Sequence, residues 1–317
     1  MIAVLPTQKA RAPDASLVEI KNGSQVAQCS CWWRGTPKEV GFIGQYSAAD
    51  PQAGAAILEK ACDVLANAGC TTALGPVDGN TWRRYRFIVE RGSEPPFFLE
   101  PDNPDDWPTH WSLAGFAAAA TYTSALNDDL AREDPRTEGA LVRLAGEGIS
   151  IREFDTARAE AELRQIFALS TVAFSHNLLY APIEEAEFVA QNQALLAFVQ
   201  PELILLAEQP GRLVGYIFAV PDVLETKRGA NRETVILKTV AVDPSLSGIG
   251  LGGVLMDLVQ RAARRSGYRR AIHALMHETN ASRTISSRYA RTIRKYAVFS
   301  RQLTQDDGLV PVRRGHA

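Results

Sequence analysis

Four glycines fall within six residues, at 248, 250, 252 and 253, in the stretch LSGIGLGG that joins the apolar run ETVILKTVAV to a helix-like segment. Glycine loses more conformational entropy on ordering than any other residue and weakens a helix start. Such density at a strand-to-helix junction needs a reason in the backbone: a left-handed turn, a close approach, or a ligand. Behind it, Leu251, Val254, Leu255, Leu258, Val259, Ala262 and Ala263 recur at i, i+3, i+4, i+7 spacing. That is one buried face of an amphipathic helix. Gly267 stands where a left-handed cap would end it.

Three explanations of the glycines compete. Gly248, Gly250 and Gly253 match G-x-G-x-x-G, the mark of an NAD(P)-dependent oxidoreductase. In that fold the glycines follow their strand directly, whereas DPSLS separates Val242 from Gly248 here. A P-loop would end in Gly-Lys-Ser/Thr, and no lysine is present. The third is a nest of open amides that binds a pyrophosphate at the helix N-terminus. A turn without a ligand needs only one glycine.

The order of elements narrows the choice. The chain has 317 residues, enough for two domains of ordinary size. All five tryptophans lie at or before Trp111, and a polar connector over 124–148 contains Pro135. The expected division is 1–135 and 136–317. In the second part, ISIREFD alternates as a strand, and 157–174 and 182–199 read as amphipathic helices. LILLAEQPGRLVGYIFAV is two strands around Pro-Gly, and ETVILKTVAV is a third. The glycine loop, its helix and the strand YRRAIHALM come next. The fold class is α/β (α+β mixed sheet), antiparallel early and crossing over by a helix late.

Net charge is only −2, so nucleic acid is not an expected partner. No apolar run is long enough for a membrane span, and MIAVLPTQKARAPD lacks the regions of a signal peptide. A cytoplasmic protein with reduced thiols at Cys29, Cys31, Cys62 and Cys70 is expected. None of their spacings is that of a metal site, so no metal is expected.

The segment VAVDPSLSGIGLGGVLMDLV resembles the acyl-CoA-binding motif of the GNAT superfamily of N-acyltransferases: apolar strand, Pro-containing loop, then Q/R-x-x-G-x-G/A opening a helix. Gly250 and Gly252 take its two glycine positions, and Ser247 stands where Gln or Arg is usual. The element order over about 148–303 matches the family too. The next segment, HALMHETNASRTISSRYARTIRKYAVFSRQL, resembles the family's next block, a strand ending in Asn, a short helix and a last strand.

The first part echoes the same order. VGFIGQYSAADPQAGAAILEKACDVLANAGCTTALG runs strand, loop, amphipathic helix, Gly, strand, and GF at 115–116 resembles the family's closing Gly-Phe. Its loop SAADPQAGAA holds one glycine, Gly54, and so reads as a degenerate copy without a cofactor site. The chain is thus expected to hold tandem GNAT-like domains, each a central mixed sheet flanked by helices.

The resemblance implies transfer of an acyl group, most often acetyl, from acetyl-CoA or another acyl-CoA to a primary amine of a small molecule or peptide, by direct attack in a ternary complex. It places the cofactor on the backbone of Val240, Ala241 and Val242, on the loop and first turn formed by Ser247, Gly248, Ile249, Gly250, Leu251, Gly252 and Gly253, and on Asn280, where family members hold the pantetheine arm. It places an acid for the leaving thiolate at Ser287, the usual tyrosine position, or at Tyr289 two residues on. A base is sought at Glu184, in the region that usually forms the acceptor pocket, or at His273 or His277. The polar run with His176, Asn177 and Tyr180 is the candidate acceptor-binding loop. Arg264, Arg265, Arg269 and Arg270 are candidates for the adenosine phosphates. A homo-oligomer fits this reading, and a CoA-binding module without catalysis stays open because Ser247, Ser287 and the missing second Gly-Phe depart from the pattern.

Overall fold

The computed structural model describes residues 12–177 and 179–303. The first part of the chain runs β1 (Ala15–Lys21), β2 (Ser24–Trp32), β3 (Val40–Ala48), α1 (Pro51–Asn67), β4 (Thr72–Gly75), β5 (Phe87–Glu90), α2 (Trp107–Leu113) and β6 (Ala117–Asn127). The second runs α3 (Thr137–Gly146), β7 (Ser150–Glu153), α4 (Ala159–Ala173), α5 (Glu185–Gln193), β8 (Ile204–Gln209), β9 (Arg212–Pro221), α6 (Val223–Lys227), β10 (Thr234–Val242), α7 (Leu251–Arg265), β11 (Arg270–His277), α8 (Ala281–Ser286) and β12 (Arg291–Gln302).

Local chemistry accounts for most of these elements. Asn22 and Gly23 both take positive φ, as the tight turn between β1 and β2 requires. Asp50 caps α1 by accepting from the Ala53 amide at 2.8 Å, and Pro51 opens its first turn. Ile57, Leu58, Ala61, Cys62 and Leu65 form its buried face, as their spacing predicts. Each fully buried Ile or Leu there is worth roughly 1.5–3 kcal/mol. All four cysteines are buried free thiols in the core under α1. No described helix is long and apolar enough to cross a membrane.

Two boundaries differ from the sequence reading. Ser124–Asn127 belong to β6, not to the polar connector, because they pair with β11 and β12 in the sheet interior. Helix α5 is shorter than 182–199 and starts after Pro182. It stops at Gln193, where the Asn192 side chain turns back to the Phe188 carbonyl at 2.8 Å.

The sheet is continuous, in the order β1-β2-β3-β4-β12-β6-β11-β10-β9-β8-β7, with β5 also on β12. Pairing is antiparallel except at β3/β4 and β10/β11, which are parallel and joined through α1 and α7 respectively. Each half therefore presents antiparallel strands, one parallel crossover, and then a last strand that belongs to the other half. Beside β4 lies β12, and beside β11 lies β6. The halves have exchanged their final strands. The cores agree: Ala297 and Phe299 of β12 pack under α1, and Leu126 and Ile293 pack with Val220, Ile236 and Ile272. The boundary expected at 135 falls between β6 and α3, but neither sheet nor core divides there.

Residues 136–317 alone would leave β11 without its neighbour and β12 without β4, β5 and β6. We expect that fragment to be insoluble or to lack a cooperative unfolding transition, while the whole chain melts as one unit. Circular dichroism during a thermal ramp distinguishes the two, and a sharp transition in the isolated fragment would refute the exchange.

Candidate active site

The glycine loop leaves α7 uncapped by any side chain. Gly248 and Gly250 hold φ of +88° and +93°, and Gly250 is the left-handed N-cap. The first recurring bond of the helix joins the Val254 amide to the Gly250 carbonyl at 3.1 Å. The amides of Leu251, Gly252 and Gly253 precede it and have no intrahelical acceptor. A Cβ at Gly248 or Gly250 would meet open space, and one at Gly252 only ordinary contacts with Ile285 at 3.6 Å and Val242 at 3.7 Å. The bare backbone is thus not demanded by packing. It forms an open, electropositive cradle of the kind that takes phosphates. Leu251 is buried beneath it, Ile249 half-covers the core, and Ser247 is exposed.

The first part's helix start is built differently. The Asp50 carboxylate already occupies the N-terminus of α1. Gly54 is there for a close approach: a Cβ would collide with the Tyr46 hydroxyl and the His110 ring.

Next to the cradle the sheet opens. β10 and β11 pair only from Thr234↔Arg270 to Leu237↔His273. Beyond that level β10 bulges at Lys238 while staying on β9, and β11 breaks its register with β6 between His273 and Met276. Leu275 holds a left-handed φ of +61° there. Two bulges at one level part the strands. The edge of β10 from Lys238 onward therefore faces a gap, and the gap opens into a cavity of about 1320 Å³.

Both parts of the chain line that cavity. From the second come Thr239 and Val240 of β10, Met276 and His277 of β11, Asn280 at the start of α8, and His176, Asn177 and Tyr180 of the loop after α4. From the first come Trp82 through Arg86, Glu100 and Tyr122. Trp82 locks the join: its Nε1–H donates to the Ala181 carbonyl at 2.8 Å, and its ring meets Phe174, Tyr180 and Phe188 edge-on. Arg83 pairs with Glu187 of α5.

The structure gathers part of the expected site and disperses the rest. Val240, Asn280, His176, Asn177 and Tyr180 all reach the cavity wall, and the Asn280 side chain is free of any cap bond. Ala241 is buried, and Val242 runs on toward the cradle. Ser287 does not reach the cavity wall: it is exposed, and its Oγ donates to the Thr284 carbonyl at 2.9 Å. Tyr289 is also off the wall, because it is buried against α7 with its hydroxyl 3.5 Å from Asp257. Burial pushes that phenol well above its ordinary range. Glu184 is exposed at the N-cap of α5 and does not line the cavity. Arg264 pairs with Glu133 and Arg270 with Glu94, at the far end of α7 from the cradle.

Two cavity residues escaped the sequence reading. Arg86 is 5% exposed. It stacks between the Tyr85 and Tyr122 rings, 3.7 and 3.9 Å from their centroids, and its Nη1 donates to the Leu275 carbonyl at 3.1 Å. Burial lowers it to about 10, which leaves it charged at neutral pH. Lys238 donates to the Leu99 carbonyl at 3.2 Å. Burial, with Arg86 beside it, lowers that amine to about 7. Lys238 had a visible signal, as the one charge inside the apolar run 234–242. Arg86 had none within WRRYRF.

Hydrogen bonding fixes the histidines differently. His273 is 1% exposed and sits between Ser286 Oγ at 2.7 Å and Gln260 Oε1 at 3.1 Å, so its Nε2 carries the proton. His277 Nδ1 accepts from the Thr279 amide at 3.2 Å, so its Nε2 also carries the proton. In His176 the roles reverse. Ser175 Oγ spends its one proton on the Val172 carbonyl at 2.8 Å and so accepts from His176 Nδ1 at 3.0 Å. Its Nε2 keeps a lone pair that no donor among the described residues fills.

Burial lowers His273 to about 4, against about 6.5 for an unfolded histidine. Between those values the unfolded chain binds more protons, so stability falls as pH falls. At pH 5 the loss from this one group is about 2 kcal/mol relative to pH 8. Urea unfolding at both pH values should show His273→Gln losing less stability than the parent on acidification, and equal losses would refute the assignment.

Residues 163–288 match the sequence model of the acetyltransferase (GNAT) family. Among characterised sequences, the chain is 24% identical over 186 residues to the bacterial ceramide synthase of Caulobacter vibrioides, which covers 58% of this chain and 48% of that protein. It is 23% identical over 192 residues to the protein YghO of Escherichia coli, covering 59% and 48%. The chain spans about half the length of these relatives. Of solved structures, it resembles a GCN5-related N-acetyltransferase from Sphaerobacter thermophilus, with TM-score 0.53 and 15% identity over 89% of this chain and 78% of that one. It also resembles a tandem GNAT protein from the clavulanic acid biosynthesis pathway, with TM-score 0.50 and 14% identity over 93% and 86%. At such identities these likenesses concern the fold alone. Residues 163–288, which include the glycine cradle and the parted strands, thus match the GNAT acetyltransferase family in sequence, and the chain as a whole shares the fold of GNAT proteins.

Proposed function

We propose that the chain is an acyl-CoA-dependent N-acyltransferase that passes its acyl group to the amine of a small molecule in a ternary complex. The observation that carries this reading is the junction of three features: the open cradle at 248–253, the unpaired edge of β10, and the cavity into which that edge opens. The amides of the cradle suit the pyrophosphate of acyl-CoA. The edge from Lys238 to Val242 suits its pantetheine amides, as a strand edge suits an added strand, with Asn280 across the gap. When bound, acyl-CoA supplies the thioester carbon that the amine attacks. A backbone N–H of the open edge would then face the carbonyl oxygen as it gains negative charge.

The attacking amine must be neutral, so a group on the wall has to take its proton. His176 is the cavity histidine whose free lone pair is available for this. It replaces Glu184 in the proposal. The sequence reading favoured acetyl, but the cavity between α4, α5 and β8 is walled by Phe154, Leu163, Ile166, Phe188 and Ile204. That compartment suits a longer or more apolar group than acetyl. The relative from Caulobacter points the same way, since a ceramide is an amine N-acylated by a long chain.

Gly252→Val tests the cradle. Its φ is not left-handed and an added Cβ makes only ordinary contacts with Ile285 and Val242, so the fold should persist. We expect the melting temperature of the free protein to change by about 2 °C or less, while affinity for acyl-CoA drops at least about tenfold, which is 1.4 kcal/mol. A thermal-shift titration with acetyl-CoA and decanoyl-CoA reads both, and unchanged affinity would place the phosphates elsewhere. His176→Gln tests the base. The expected loss is about 10²–10⁴-fold in kcat, with little change in the KM for acyl-CoA, measured as thiol release. A variant as fast as the parent would exclude His176.

A further inference from the structure

We propose that the acceptor is an amino acid, whose carboxylate is held by Arg86 and Lys238 where β10 leaves β11; this rests on the acyl-transfer reading above. The wall of the cavity carries two cations, Arg86 and Lys238, and Glu100 offsets Lys238 only in part. Among the described residues no carboxylate forms an ion pair with Arg86 or Lys238, and their hydrogen-bond partners are the backbone carbonyls of Leu275 and Leu99. The Nε–H of Arg86 is buried without a partner. The acids nearby are committed. Glu100 pairs with the buried Arg294 at 2.6 Å and also accepts from the Phe97 amide and the Tyr296 hydroxyl. Asp102 pairs with Arg91 at 2.8 Å.

Charge taken out of water without a counter-ion is costly, and a ligand that brings the counter-ion recovers part of that cost on binding. Arg294 and Glu100 cancel each other. What is left is Arg86, fixed between two tyrosine rings, and Lys238, whose proton is already loosened by burial and by that neighbour. Near neutrality Arg86 is charged and Lys238 partly so, and a carboxylate matches this pair better than a phosphate dianion does. Position favours an amine close to that carboxylate. Lys238 directly precedes Thr239 and Val240 on the open edge where the thioester is expected, and both cations line the same cavity as that edge. A group anchored there and reacting at the edge carries its charge and its nitrogen on one small molecule, as an amino acid does. Beyond them, Trp82, Phe174 and Tyr180 offer an aromatic wall for an apolar side chain.

Binding and transfer are measured separately on the whole chain. Calorimetry with 3-phenylpropanoate and its amide should show the acid binding at least about tenfold tighter, a difference of 1.4 kcal/mol. Lys238→Met should erase that advantage, and Lys238→Arg should keep it. Thiol release should be faster with phenylalanine than with phenethylamine or decylamine. Equal affinity for acid and amide, or transfer to the plain amines as fast as to phenylalanine, overturns the carboxylate site and leaves acyl transfer standing. A carboxylate preference with no thiol release from acetyl-CoA or decanoyl-CoA overturns acyl transfer, and with it the identity of the acceptor, while the anion site survives. A Lys238-dependent preference for succinyl-CoA over butyryl-CoA, with none among acceptors, assigns the carboxylate to the acyl group and overturns the inference.

Discussion

The exchange of β6 and β12 is the constraint on which the rest of the molecule depends. Either strand left in its own half would give two separate sheets, each with an exposed final edge. Crossed over, the strands pair with each other along most of their length and seal both edges at once. The exchange also determines what the cavity is made of. Tyr122 lies on β6, so placing β6 beside β11 brings that ring and the stacked Arg86 against the Leu275 bulge.

The parting of β10 from β11 is held open from both sides of that seam. Arg86, from the first part, ties down the displaced carbonyl of Leu275. Lys238, at the bulge of the second part, reaches back to the Leu99 carbonyl of the first. An orphan buried carbonyl costs about 1–3 kcal/mol, so Arg86 stabilises the bulge of β11, and Lys238 ties the bulge of β10 to the turn at Leu99. The same two contacts keep positive charge on the wall of the cavity. Strand geometry and cavity electrostatics are therefore one feature, and neither can change without the other.

Much of this was legible in the sequence, and the reason is locality. The glycine spacing, the apolar face of α7 and the order of elements in both parts depend on residues close along the chain. The loop holding His176, Asn177 and Tyr180 was identifiable as a polar run between apolar anchors. The illegible features depend on distant partners. Ser124–Asn127 read as polar connector because nothing local shows that β11 and β12 will flank them. Tyr289 read as a catalytic acid by its position after Asn280, but the buried Asp257 draws its hydroxyl to α7. Glu184 read as a base by its neighbourhood, but as the N-cap it stays in solvent. Arg86 could not be singled out among three nearby arginines, because its role comes from two rings and a bulge distant in sequence.

The two helix starts show how one architecture fills an anion position in one half and leaves it open in the other. Both α1 and α7 join parallel strands at equivalent places, and both present unpaired amides with a positive dipole end. In α1 the Asp50 carboxylate meets that demand internally, and Gly54 clears space for Tyr46 and His110. In α7 the cap is a left-handed glycine with no side chain, and Gly252 and Gly253 leave the next amides uncovered. A carboxylate at Gly250 would compete with a phosphate for the same N–H groups and add like-charge repulsion. The difference between the two helix starts thus lies in whether the chain supplies its own anion. The first part supplies one, and the second leaves the position open beside the gap in its sheet.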